Sequence, residues 1–346
     1  MDSKTRKIAG FNPNDVGVNN GQLYGLPFTA DESEIIVIPV PWDVTVSYGE
    51  GTADGPNAVL EASTQVDYYL PEFPNTWKRG IFMTDIPKNI YEQGKNLRKD
   101  AIAYIDFLEN GGKLHDDPSH QKTVDTINQA CGELHSWVQE EAEKWMDKGK
   151  KVVVLGGDHS SPLGLMKALA NKHKEFGVLT LDAHADLRKA YEGFRYSHAS
   201  IFFNALEEIP QITKMVQAGI RDFCEEEADY ASNSAGRVTI FTEEMIRKQL
   251  FQGKTQKDVY GELIASLPQH VYVSVDIDGL NPNLCPNTGT PVPGGFEFYE
   301  ALFLIDQLKA SGKTIIGLDL CEVAPGEDDW DANVGARLLY QLCARI

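Results

Sequence analysis

Short apolar runs and longer amphipathic segments take turns along the 346-residue chain. The runs at Glu34–Val40, Val152–Leu155, Phe176–Asp186, Gln217–Ile220, Arg237–Phe241, His270–Asp278 and Thr314–Leu320 are rich in Val, Ile and Leu and bounded by turn residues, so they are predicted to be strands. Between them, apolar residues recur at three-to-four spacing over Tyr91–Asn110, Val124–Lys148, Pro162–Lys174, Glu243–Gln252, Glu297–Ala310 and Val334–Arg345, which predicts helices. A further helix opens near Pro56, a residue suited to a first helical turn. Strand followed by helix, repeated, implies an α/β fold with a parallel sheet covered on both faces.

Two loops interrupt this rhythm. Pro41–Pro56 carries Gly49, Gly51 and Gly55, and Gly279–Gly295 is too rich in Pro and Gly for regular structure. Loops of this length in a compact domain usually serve function. Residues 1–33 are polar and rich in Asn, Gly and Asp, and are expected to form an extension outside the core, suited to packing on a neighbouring subunit. Residues 34–346 are expected to form a single domain. A linker, GGKLHDDPSH, separates the two long helices near its centre, and its His115 and His120 are expected to be solvated.

The chemistry gathers at strand ends. FGVLTLDAHADLR presents Asp182, His184 and Asp186 at alternate positions, which an extended backbone places on one side. KVVVLGGDHSS delivers Asp158 and His159, and HVYVSVDIDG delivers Asp276 and Asp278 two apart. Parallel α/β sheets bind ligands beyond the carboxyl ends of their strands, so three such ends describe one site. Two His and four Asp suit two divalent cations, and four carboxylates around one ion would leave excess negative charge. Imidazole mixed with hard oxygen, without thiolate, favours manganese over nickel, cobalt or zinc and disfavours calcium.

Composition narrows the partners. With 32 Lys and Arg against 51 Asp and Glu the net charge is −19, which should repel nucleic acid and anionic membrane surfaces and draw in cationic substrates. Five cysteines without metal-finger spacing, and no apolar stretch of signal or membrane-spanning length, lead to the expectation of a reduced, cytoplasmic protein.

Taken together, GGDHS, DAHAD and SVDID in that order, with TGTPVPGG and a late EVAP, resemble the ureohydrolase family of arginases, agmatinases and formimidoylglutamases. The resemblance implies a three-layer α/β/α sandwich around a mostly parallel eight-stranded sheet, in trimers or hexamers. It implies that His159, Asp182, Asp186 and Asp276 hold one Mn²⁺, and that His184, Asp182, Asp276 and Asp278 hold the other. Asp158 is then a supporting residue, Glu322 the partner of the substrate guanidinium, and His198 of YSHAS the proton shuttle. In the implied reaction, water activated between two cations attacks the guanidino carbon, Asp186 accepts a proton and His198 passes one to the departing amine.

The far end of the substrate is set elsewhere. Position 188, after DAHAD, is Arg, and the loop LRKAYEGFRYSHAS lacks the Asn with which arginases grip the amino-acid head. The stretch is similar instead to a branch of agmatinases, so the expected reaction is agmatine to putrescine and urea. Guanidinobutyrate, arginine, or free guanidine with nickel are alternatives within the family, and a non-catalytic ureohydrolase-like subunit is the alternative outside enzymes. Arg188 or Arg195 could meet a substrate carboxylate.

Overall fold

The computed structural model describes residues 2–346, so residue 1 of the extension lies outside the described residues. Eight strands form one sheet: β1 (Ile35–Val40), β2 (Ile81–Met83), β3 (Lys151–Gly156), β4 (Phe176–Leu181), β5 (Ile212–Ile220), β6 (Val238–Thr242), β7 (His270–Asp276) and β8 (Thr314–Cys321). Their order is β2-β1-β3-β8-β7-β4-β5-β6, and every neighbouring pair is parallel.

Alternation along the strands builds two cores. Ile35 and Val37 of β1 face one side with Leu155, Val273 and Leu320, where helices Gly55–Ala62, Gln256–Ile264, Phe298–Ala310 and Trp330–Arg345 cover them. Ile36 and Ile38 face the other with Val154, Val178 and Tyr272, beneath helices Lys88–Glu109, Pro118–Met146, Leu163–Ala170 and Ile201–Glu208. The result is the expected three-layer α/β/α sandwich.

This topology positions the site. β3, β8, β7 and β4 are consecutive in the sheet, and the registers Leu155↔Leu320, Asp276↔Cys321 and Leu181↔Val275 align their carboxyl ends. Chain segments distant in sequence therefore leave the sheet side by side. Close approach is needed where the β3 loop crosses the β1 loop: Gly157 donates to Val40 O at 2.7 Å, and a Cβ at Gly157 would overlap the carbonyl of Trp42.

Several elements differ from the sequence pattern. The strand predicted to run to Asp186 ends at Leu181, and β5 begins at Ile212 rather than Gln217. Strand β2 has three residues at the sheet edge, too few for a period to show. Helices Ser3–Gly10, Ile201–Glu208, Glu225–Asn233 and Gln256–Ile264 were not foreseen, although Thr255 and Asp258 form a capping box that marks the start of the last one. His115 is exposed, but His120 stacks on Phe107 with ring centroids 4.2 Å apart. The stretch before β1 is not all outside the core: Leu23, Tyr24, Leu26 and Phe28 are buried, packing on helix Gly55–Ala62, the turn after it and β2, with the Tyr24 ring 4.9 Å from that of Tyr340.

Candidate metal centre and active site

Beyond Leu181 the backbone stays close to β5, with Asp182 N donating to Ala218 O and Ala183 O accepting from Arg221 N. At Asp186 it turns into the left-handed region (φ 51°), so that carboxylate reaches the cluster through a bend rather than strand alternation. Glu322, directly after β8, is left-handed as well (φ 62°). Two non-glycine residues of this kind at one site mark backbone held by its surroundings, at about 1–3 kcal/mol each.

His159, Asp182, His184, Asp186, Asp276 and Asp278 come together. His159 Nδ1 lies 3.0 Å from Asp182 Oδ2, 3.2 Å from Asp186 Oδ2 and 3.2 Å from Asp276 Oδ2. On the other side, His184 Nδ1 lies 3.0 Å from Asp278 Oδ2 and 3.8 Å from Asp182 Oδ1. Asp182 thus belongs to both groups of potential ligands. Asp158 stays outside them, its Oδ1 accepting from the backbone and hydroxyl of Ser160, which shapes the loop that presents His159.

The donor set fits divalent cations. Asp182 Oδ2 and His159 Nδ1 are buried and make no hydrogen bond of acceptable geometry, although they face each other. Burial and the neighbouring carboxylates push Asp182 up to about 7, and burial with Asp278 and Asp182 pushes Asp276 well above the carboxylate range. Burial also raises Asp186, and burial with Asp276 and Asp158 raises Glu322. Burial lowers the two histidines, but the facing carboxylates outweigh it: His159 ends well above its ordinary value and His184 at about 11. Protein alone can hold this cluster only by taking up protons, whereas two dications would neutralise it directly.

Beside the cluster a pocket of about 160 Å³ is lined by His184, Asp186, Arg188, Tyr191, His198, Asp222, Glu227 and Thr290, with Ser47 from the loop after β1. Burial lowers His198 to about 3, so its ring is neutral, and its Nδ1 lies 3.2 Å from Ser197 Oγ. Arg188 sits over the ring of Tyr191 at 4.7 Å, with Nε 3.8 Å from Glu227. Arg195 points elsewhere, to Glu208 at 2.8 Å. Glu322 Oε1 accepts from His159 N at 2.9 Å, while Oε2 is buried without a partner. Gly289 leaves that oxygen room, since a Cβ there would stand 3.3 Å from it.

Sequence reasoning missed the support of the pocket wall. Arg98, buried on helix Lys88–Glu109, donates to Val44 O and Val46 O, and Thr45 Oγ1 accepts from His198 N. A single Arg on an amphipathic helix carries no signal of such a role.

The sequence model of the Arginase family matches residues 33–344. The chain belongs to the Arginase family. It is 30% identical over 323 residues to N(1)-aminopropylagmatine ureohydrolase of Synechocystis sp., covering 90% of this chain and 88% of that one. It is 28% identical over 306 residues to agmatinase of Bacillus anthracis, covering 87% of each. The crystal structure of agmatine ureohydrolase of Thermoplasma volcanium superposes with a TM-score of 0.71 at 21% identity, covering 95% of this chain and 94% of that one, which establishes the shared fold. The family member described here is thus a ureohydrolase-type enzyme with a candidate metal centre at the carboxyl ends of its four central strands. Among the described residues, no helix is long and apolar enough to cross a membrane.

Proposed function

We propose that this ureohydrolase hydrolyses agmatine to putrescine and urea at a centre for two Mn²⁺ ions. The observation that carries the reading is the pair of His–Asp groups sharing Asp182, with the unpartnered Glu322 Oε2 buried nearby. When bound, the two ions supply Lewis-acid activation of water. His159, Asp182, Asp186 and Asp276 would hold one ion, and His184, Asp182, Asp276 and Asp278 the other. The free oxygen of Glu322 accepts from the substrate guanidinium and fixes the planar carbon over the cluster. Asp186 takes a proton from the attacking water, and His198, neutral and beside the pocket, relays a proton to the departing nitrogen.

Discrimination rests on the acidic part of the pocket lining. Asp222 and Glu227 line it, and Arg188 is paired with Glu227. An ammonium at the far end of the substrate meets a net negative wall, whereas the α-carboxylate of arginine meets two carboxylates and one engaged guanidinium. Agmatine should exceed arginine in kcat/KM by on the order of a hundredfold. A longer cation, N(1)-aminopropylagmatine, is the second reading, supported by the exposed Asp222, whose side chain has no partner among the described residues, and by the name of the Synechocystis relative. Elemental analysis followed by urea release from agmatine, N(1)-aminopropylagmatine, arginine, guanidinobutyrate and guanidine tests both. Turnover of free guanidine alone, or equal use of agmatine and arginine, would overturn the assignment of substrate.

A further inference from the structure

The side of the His159 ring that faces away from the carboxylate cluster has its own hydrogen-bonded chain. His159 Nε2 lies 3.0 Å from Ser274 Oγ, and Ser274 Oγ donates to Asp319 Oδ2 at 2.8 Å. Asp319 lies in the interior of β8, fully buried, and also accepts from Tyr272 Oη at 2.5 Å and from Val275 N at 3.3 Å. Its oxygens are thus occupied by protein donors. Asp182 Oδ2, in the cluster, has none.

The direction of these bonds decides the tautomer. Ser274 has one hydroxyl proton. Because it goes to Asp319, what Ser274 turns to the imidazole is a lone pair, and Nε2 must carry the ring proton. Nδ1 then keeps its own lone pair on the side of Asp182, Asp186 and Asp276, as a metal ligand requires. Without an acceptor behind it, Ser274 could donate to Nε2 and drive the proton onto Nδ1.

The geometry points to Asp319 and Ser274 as positioning residues that select the metal-binding tautomer of His159. This rests on the metal-centre reading above. Asp319, His159 and Cys321 also lie close enough to be taken for ligands of a separate ion, but Asp319 accepts from Tyr272, Ser274, Val275 N and, at 3.7 Å, the Cys321 thiol itself, and these four protein donors assign it to the relay instead.

The test is a Mn²⁺ titration of metal-depleted full-length protein, with free Mn²⁺ read by electron paramagnetic resonance. Ser274→Ala and Asp319→Asn should each weaken one of two bound ions by tenfold to a hundredfold and leave the other within a few-fold. Circular dichroism of the metal-free proteins should be unchanged. Tyr272→Phe, which removes one of the donors on Asp319 and leaves the Ser274 bond, should bind both ions nearly as wild type. A merely structural role would lower the melting temperature without moving one site relative to the other, and that result overturns the relay. Wild-type affinities for both ions in Ser274→Ala overturn it too, and this variant decides if Asp319→Asn does not fold. A third bound ion lost in Asp319→Asn would make Asp319 a ligand. Absence of any bound ion in the wild type would overturn the metal centre itself.

Discussion

Three of the acidic residues in the cluster divide their two oxygens between two tasks. Asp182 Oδ1 accepts from His184 N, Asp276 Oδ1 from Asp278 N and Asp278 Oδ1 from Ala183 N, while each Oδ2 faces the cluster, that of Asp278 also accepting from Thr290 Oγ1 at 3.4 Å. Turn formation and ligation are therefore not competing roles for these residues. Asn at 182 or 276 keeps an acceptor for the turn but puts an amide where the oxygen facing the cluster stood. Asp182→Asn and Asp276→Asn should fold, lose most bound metal by elemental analysis and release urea at least about a hundredfold more slowly, the scale reported for lost metal-site support. Glu322→Gln should keep its metals, since Glu322 is in neither ligand group, while losing about 1.5–3 kcal/mol of charge-assisted binding in kcat/KM. His135 gives a pH effect. Burial, with Lys167 nearby, lowers it to about 3, outweighing the Ser160 backbone beside the ring, with which neither ring nitrogen makes a well-formed hydrogen bond. Both states are neutral above the unfolded value near 6.5; between that and about 3 only the unfolded chain takes the proton, so stability falls with falling pH. Urea denaturation should show a slope of up to about 1.4 kcal/mol per pH unit over this window, and His135→Phe should flatten it. The six ligand candidates were legible in sequence because each motif follows directly on an apolar strand, although Asp186 joins the others through a bend and not by alternation. Asp319 and Arg98 were not, because a lone charged residue in a strand or helix does not show what faces it.

At the scale of elements, the central strands were readable because full burial on both faces requires continuous apolar runs. Edge strand β2 and the short helices, held by caps and local packing, left weaker marks. The long helices, by contrast, were visible, but not their purpose. Helix Lys88–Glu109 anchors the loop after β1: Arg98 binds Val44 O and Val46 O and lies 3.6 Å from Glu50, and Tyr91 donates to Asp54 at 2.7 Å. That loop brings Ser47 to the pocket and Thr45 to the His198 backbone. Arg98→Met should keep the aliphatic packing and both metals while removing the donors. The expected outcome is a fall of tenfold or more in kcat/KM and faster proteolysis within residues 44–50. Unchanged kinetics together with an unchanged cleavage pattern would show that the loop holds itself.

At the scale of the whole molecule, the segment before β1 ties the first part of the chain to the last. Tyr24, left-handed at φ 61° and buried, donates through Oη to Ala336 O in helix Trp330–Arg345, accepts at its carbonyl from Tyr68, and donates its own N–H to Ser63 Oγ. Helix Ser3–Gly10 differs, since it buries no residue and is held mainly by Lys7 to Glu32 at 2.7 Å and Lys4 to Arg79 O at 2.7 Å. Two deletions therefore separate sharply. Removing residues 2–10 costs the partly buried Lys7–Glu32 pair, the Lys4 bond to Arg79 O and the packing of half-buried Ile8, about 1 kcal/mol each, so metal binding and activity should stay close to wild type and the melting temperature should fall only slightly. Removing residues 2–30 strips Leu23, Tyr24, Leu26 and Phe28 from the core. At about 1.5–3 kcal/mol per large apolar side chain, the loss is comparable to the whole stability of a typical domain, roughly 5–15 kcal/mol. The longer deletion should accumulate as insoluble or protease-sensitive chain. A soluble, active protein lacking residues 2–30 would show that the direct packing of helices Gly55–Ala62 and Trp330–Arg345 suffices without it.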